Sequence, residues 1–315
     1  MVKIGIIGIG HMGNYHASVC MNSQNVELIA IADPKEENLN KIKSNKIKKS
    51  TDYNEWLDLV DAVIIAVPTD FHYPIAKECL NKGKHVLVEK PITKNVLQAK
   101  ELFQIAEEKN LALHIGHVER FNGAVQELKK IINEPYLIEA HRIGPFIPRV
   151  QKDSVILDLM IHDIDLILNI IKSDVQEVNV VAKNIETNLP DIAVVQIKFK
   201  NDTIANITAS RASQIKERAM SIHQKDSFIK LDFTTQDIFI HRHTSDSVTV
   251  SSNQLQYKQE ATIERLFVYK DNPLKQEVEH FAKSIETGKK LRNTEKDLAA
   301  LKLTLELENK VCKSS

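Results

Sequence analysis

Cysteine, net charge and long apolar runs are all scarce in this sequence of 315 residues. The three cysteines, Cys20, Cys79 and Cys312, are odd in number and far apart, which suits reduced, mostly buried thiols better than a disulfide or zinc framework. No cysteine chemistry is expected. The 42 Lys and Arg residues balance 42 Asp and Glu, so no general field draws nucleic acid or an anionic membrane surface. The longest apolar run, Ala62 to Val67, is far shorter than the ~20 residues that span a bilayer, and Met1 leads into a strand pattern without a signal segment. These absences describe a soluble, cytoplasmic protein with neither nucleic acid nor membrane as a partner. There is also no repeat, no low-complexity tract and no Pro/Gly/Ser linker, although the length calls for two domains.

The chain changes its grammar part-way along. Up to about residue 120, β-branched runs alternate with amphipathic helical stretches, the pattern of βαβ units around a parallel sheet. Strands are expected at Lys3 to Ile7, Glu27 to Ala32, Ala62 to Ala66, His85 to Glu89 and Leu111 to Ile115, and helices at His11 to Asn22, Phe71 to Asn81 and Asn95 to Lys109. From about Tyr136 a helical pattern around Asp158 to Ile171 precedes the runs Ala193 to Phe199, Thr203 to Ser210, Arg218 to His223 and Phe228 to Asp232. Short polar connections make these an antiparallel sheet. Helical patterns at Leu274 to Thr287 and Glu295 to Val311 close the chain. The expected architecture is an α/β Rossmann domain with a parallel sheet, residues 1–120, followed by an α+β domain with a large, mainly antiparallel sheet, residues 121–315.

Four of the nine glycines fall in the first 13 residues, and Gly8, Gly10 and Gly13 form G-I-G-H-M-G between an apolar strand and a helix. In a dinucleotide site the first permits the tight turn, the second admits the pyrophosphate and the third lets helix pack on strand. The helix N-terminus then meets the phosphates with its amides and dipole. Asp33 follows Gly13 by 20 residues, where a carboxylate accepts the ribose hydroxyls of NAD and repels the 2′-phosphate of NADP. A capping role for Asp33 before Pro34 predicts the same residue type but not that spacing. Two further strands end in segments that line the ligand crevice of such sheets, Pro68 to His72 and Glu89 to Pro91. The cofactor-lining set is therefore Gly8, Gly10, His11, Met12, Gly13, Asp33, Pro34, Val67, Pro68, Thr69, His72, Glu89 and Lys90.

The G-I-G-H-M-G loop, A-V-P-T-D-F-H at 66–72 and V-E-K-P at 88–91 together resemble the glucose-fructose oxidoreductase, inositol dehydrogenase and rhizopine catabolism (Gfo/Idh/MocA) family. The segments G-H-V-E-R-F-N at 116–122, D-L-M-I-H-D-I-D at 158–165 and N-P-L-K-Q-E-V-E-H-F at 272–281 extend the resemblance over essentially the whole chain. It implies that Lys90, held extended by Pro91, contacts the nicotinamide region and the substrate hydroxyl, where its charge favours a developing alkoxide. On the helix near 157–171, Asp158, His162, Asp165 and Asn169 share one stripe at ~100° per residue, opposite Leu157, Ile161, Ile164, Leu168 and Ile171. The Asp-x-x-x-His spacing puts carboxylate and imidazole one turn apart, and the family's active site has the same pair, matching Asp158 and His162. His162 is then the general base of alcohol oxidation, with Asp158 orienting it or hydrogen-bonding substrate, and whether His162 or Lys90 takes the proton stays open.

The motifs are most similar to family members that oxidise the C3 hydroxyl of UDP-N-acetylglucosamine. Arg120, Arg142 and Arg149 either offer cations to such a diphosphate or are surface or structural arginines, and the substrate-lining set becomes Arg120, Asn122, Arg142, Asp158 and His162. An inositol or free-sugar dehydrogenase and a non-catalytic NAD-binding redox sensor are the alternatives. The histidine pairs 241/243 and 114/117 lack a third ligand, and the family's hydride chemistry runs without metal, so none is expected. As in the resembled family, a dimer or tetramer is expected through the sheet of the second domain.

Overall fold

In the computed structural model, which describes all residues except 149–152, 252–253, 290 and 313–315, the first apolar runs are buried parallel strands. The elements in chain order are β1 (Val2–Ile7), α1 (His11–Met21), β2 (Val26–Ala32), the short α2 (Glu36–Leu39), β3 (Lys48–Ser50), β4 (Ala62–Ile65), α3 (His72–Asn81), β5 (His85–Glu89), α4 (Val96–Glu108) and β6 (Leu113–Gly116). The six strands lie in the order β3-β2-β1-β4-β5-β6, all parallel. Strand β4, Ala-Val-Ile-Ile, is buried at every position, as a parallel strand covered on both faces must be.

Next come α5 (Gly123–Ile131), β7 (Leu137–Ile143), a π-helical turn Ile156–Met160 running into α6 (Ile161–Ile170), then β8 (Val175–Lys183), β9 (Ile192–Phe199), β10 (Ile204–Ser210), β11 (Glu217–Gln224), β12 (Ser227–Asp232), β13 (Asp237–Ser251) and β14 (Gln254–Arg265). They form an eight-stranded sheet in the order β14-β13-β12-β11-β7-β10-β9-β8. Only β7 and β10 are parallel neighbours. Inward side chains such as Ile138, Val195, Ile197, Ile207 and Ile222 are fully buried, whereas Val181, Val194 and Ile204 on the outer face are exposed.

The last two helices, α7 (Pro273–Thr287) and α8 (Thr294–Cys312), revise the expected division. The chain falls into one unit of Met1–Phe121 with Asp271–Leu305 and another of Asn122–Lys270 with Glu306–Ser315. Residues 121–315 are thus not one body, because Leu274, Val278, Phe281 and Ala282 of α7 join Ile4, Ile6 and Ala17 in the core of the first unit. Helices α1 and α7 cover one face of the parallel sheet, while α3, α4 and Leu301 of α8 cover the other. Cys20 and Cys79 are free thiols inside these layers, and burial pushes both up to about 12. No helix among the described residues is long and apolar enough to cross a membrane.

Helix α7 also carries a carboxyl into the first unit. Glu277 is fully buried, and Arg292, 3.4 Å away, donates to it and to the carbonyl of Ile115 at 2.8 Å. Burial, reinforced by Glu89, pushes Glu277 up to about 8 against the lowering influence of Arg292 and Arg120. The neutral acid is therefore the form the fold prefers, and its contribution, complete below the ordinary value of 4.5, is lost as pH rises through about 8. Glu277→Gln and the parent should melt together near pH ~4.5, and Glu277→Gln should be the more stable at pH ~8. A parent that is the more stable at the higher pH would mean an ionised Glu277 paired with Arg292.

Candidate functional site

The turn after β1 is shaped by contact with its neighbours. Gly8 has φ +91°, and a Cβ there would stand 2.7 Å from the carbonyl oxygen of Ala66. A Cβ at Gly13 would stand 1.9 Å from the carbonyl oxygen of Gly8, so α1 packs against this turn only without a side chain. Gly10 differs, because a Cβ there meets nothing within 4 Å. The protein itself does not require glycine at that position. Such a position leaves room for a ligand to approach the backbone. Asn95, Asn122 and Asn272 cap α4, α5 and α7 with their side chains, but no side chain caps α1 from Gly10. The first turn of α1 thus offers its dipole and amides to an anion.

Asp33 ends β2 beside this turn and is 6% exposed. Its Oδ2 accepts from the amide of Ile9 at 2.8 Å, while Oδ1 accepts from the amide of Lys35 at 2.9 Å and from Asn38 at 3.0 Å. The carboxylate therefore fixes the glycine turn as well as facing a cavity of about 490 Å³. That volume lies within the ~300–1,000 Å³ of small-molecule sites. Of the expected cofactor set, Gly8, Gly10, Asp33, Pro34, Val67 and Pro68 line it. Phe71, from the segment expected to line the crevice, lines it too, as do Asn38, Thr51, Asp52 and Tyr53, for which the sequence holds no clear signal. Thr51 to Tyr53 follow β3, a Lys-Lys-Ser strand too short and polar to be recognised. The open backbone at Gly10, the uncapped helix and the carboxylate together fit a dinucleotide.

The ends of β4 and β5 meet through buried polar groups. Glu89 is 8% exposed, and the fully buried His16 of α1 donates from Nε2 to its Oε1 at 2.8 Å. Burial works to raise this carboxyl, but His16, then Lys90 and His72, hold it below the ordinary range. Glu89, expected to line the cofactor, is instead committed to His16 and to the Lys90 amide, which donates to its Oε2 at 3.3 Å. Lys90 is half-buried. His11 is exposed with its ring edge-on to Tyr15 at 4.8 Å, and Met12 packs against the core.

In the second unit Asp158 sits in the π-helical turn and His162 in the first turn of α6, both half-buried. Ser154 opens the turn by accepting from the amides of Ile156 and Leu157 and donates to Glu308. The π turn is wider than an α turn, so the straight stripe expected at α-helical spacing does not run through residue 158. Asp165, expected on a polar face, is 1% exposed and accepts from Asn169 through its carbonyl at 2.7 Å. Two buried ion pairs hold this helix. Arg142 of β7 grips Asp163 with Nε and Nη2, each at 2.8 Å, and stacks on Phe233 at 5.0 Å. Arg211 pairs with Asp191 at 2.7 Å and donates to the carbonyl of Asp153 at 2.7 Å, just ahead of the π turn. Burial works to raise Asp191, but the amides of residues 185–187 and Arg211 hold it well below the ordinary range.

These pairs correct the substrate-lining set. Arg142 is 2% exposed and spends its fork on Asp163, so it does not present a planar cation to a diphosphate. Arg120 forms an ion pair with Asp297 at 2.6 Å. Asn122 is buried, donating to the carbonyl of Phe233 at 3.0 Å and accepting from the amide of Ala124 at 3.1 Å as the cap of α5. Sequence places a charge or an amide at these positions but not its partner. Arg149 lies outside the described residues.

The contrast between two glycines supplies a test. Gly10→Ala should leave the melting temperature within about 1–2 °C of the parent and weaken NADH binding, since the added methyl group meets no protein atom within 4 Å. Gly13→Ala should lower stability by about 1–3 kcal/mol, because the methyl group meets a carbonyl that cannot rotate away. Thermal melts and NADH fluorescence titrations read both, and equal loss of NADH binding and stability at Gly10 would remove it from the cofactor site.

Comparison with known proteins agrees with this geometry. Residues 2–117 match the model described as oxidoreductase family, NAD-binding Rossmann fold, and residues 125–229 match the GFO/IDH/MocA C-terminal domain. A UDP-N-acetylglucosamine 3-dehydrogenase of Acidithiobacillus ferrooxidans is 32% identical over 249 residues, 78% of this chain and 79% of that protein. A solved structure of such an enzyme from that organism superposes with a TM-score of 0.88 at 29% identity, covering 98% of this chain and 97% of the other. The myo-inositol 2-dehydrogenase of Thermotoga maritima is 25% identical over 91% of this chain and 89% of its own length. The chain is an oxidoreductase belonging to the Gfo/Idh/MocA family.

Proposed function

We propose that the protein is an NAD-dependent dehydrogenase that oxidises a secondary hydroxyl of a sugar, specifically the C3 hydroxyl of UDP-N-acetylglucosamine, in the cytoplasm. The observation that carries the substrate is the 32% identity, over 79% of its length, to an enzyme named for that reaction. When bound, NAD supplies the hydride acceptor. The backbone at Gly10 and the first turn of α1 hold its diphosphate, and Asp33, already fixed by Ile9 and Lys35, accepts from the ribose and disfavours a 2′-phosphate. Lys90 stabilises negative charge on the substrate oxygen, and His162, oriented by Asp158, or Lys90 itself takes the proton. A homo-oligomer assembled on the outer face of the eight-stranded sheet, where Val181, Val194 and Ile204 are exposed, completes the reading.

An inositol or free-sugar dehydrogenase is the second reading. It is favoured by the structural commitments of Arg142 and Arg120, which remove two cations from the expected diphosphate site, and by the 25% identity to the Thermotoga maritima enzyme. Incubation with NAD and UDP-N-acetylglucosamine, with a trap for the ketone, should give NADH and a product lighter by two hydrogens at C3. Turnover of inositol or free sugars with none of the nucleotide sugar would select the second reading. Lys90→Met should keep NADH binding and lose kcat by ~100-fold or more, and His162→Asn should flatten the pH profile of kcat. A fully active Lys90→Met protein would remove that lysine from the chemistry.

A further inference from the structure

His72 opens α3 and is 1% exposed, yet both of its ring nitrogens face carbonyl oxygens. Nδ1 lies 2.8 Å from the oxygen of Pro91 and Nε2 lies 2.9 Å from the oxygen of Val67. A carbonyl oxygen only accepts, and a neutral imidazole carries one N–H and one bare nitrogen. Set between two acceptors, the neutral ring would make one hydrogen bond and press a lone pair against the second oxygen. An imidazolium donates to both.

We propose that His72 is held as an imidazolium at neutral pH and acts as a positioning residue, clamping the segment after β4 to the segment after β5 that carries Lys90. The two bonded carbonyls belong to these segments. Val67 lines the cavity beside the glycine turn, and Pro91 directly follows Lys90. A buried cation needs both hydrogen bonds and a counter-charge. Glu89 supplies the latter, since His72 is among the charges that stabilise its carboxylate. The other charged groups on these segments are Lys90 itself and the Asp70–Lys94 ion pair at 3.1 Å, which ties the same two segments nearer the surface. His16, on α1, donates to Glu89 at 2.8 Å. His72 thus fixes the backbone of Val67, which lines the cavity, and of Pro91, which directly follows Lys90.

The functional part of this inference rests on Lys90 being a reacting group, so the test has one readout that does not depend on turnover. In protein labelled with ¹⁵N-histidine, the His72 ring, identified by its contacts with Val67 and Pro91, should carry hydrogen on both nitrogens at pH ~7.5 without any cofactor. One bare ring nitrogen at that pH would overturn the clamp. His72→Gln keeps a single neutral donor, and it should lower kcat on the order of 10- to 100-fold while leaving the KM for NAD nearly unchanged. An unchanged kcat, or a rise in KM alone, would equally overturn the positioning role. If the parent turns over none of the sugars tested, the dehydrogenase reading falls and ring protonation still decides the clamp.

Discussion

The site in the first unit depends on how closely α1 approaches the turn after β1. With a single added methyl group at residue 13 only 1.9 Å from the carbonyl oxygen of Gly8, the helix is seated backbone to backbone. That seating aims the uncapped N-terminus of α1 at the space beside Gly10. It also brings the Ile9 amide within 2.8 Å of Asp33, so the turn and the end of β2 are fixed by one carboxylate. His16, one turn further along α1, reaches Glu89 at the end of β5 from the same helix. The glycine turn, the Asp33 carboxylate and the backbone of Lys90 are thus all referred to one helix position.

Buried charge does the equivalent work in the second unit. The helix with Asp158 and His162 is surrounded by Arg142–Asp163 and by Arg211, which links Asp191 to the carbonyl of Asp153. Removing one partner of such a pair strands the other charge and typically costs ~3–5 kcal/mol, so these arginines set the geometry of the helix. Charged residues on inward strand positions are in this family member tools of placement.

The parallel sheet was legible because its strands are buried on both faces and read as apolar runs; β1, β2, β4, β5 and β6 fall where those runs lie. Asp33 was legible from its spacing to Gly13, which topology fixes. The short β3 was not, and the cavity wall formed by Thr51 to Tyr53 went unseen with it. Strand β7 was hidden because its inward residues are Ile138, Ala140 and Arg142, and a charge at an inward position breaks the alternation by which half-buried strands are recognised. Its ion-pair partner, Asp163 on α6, lies 21 positions away in the sequence. Long-range pairs of this kind also misled the reading of Arg120 and Asn122. The return of α7 to the first unit escaped for a related reason. An amphipathic stripe says that a face is buried, not which sheet buries it.

The most direct measurement of the central claim follows one hydrogen. UDP-N-acetylglucosamine carrying deuterium at C3, incubated with the protein and NAD in the presence of a ketone trap, should yield reduced cofactor containing that deuterium and a 3-keto sugar without it. Deuterium retained on the sugar while NAD stays oxidised, under conditions where the protein binds NADH, would contradict the account.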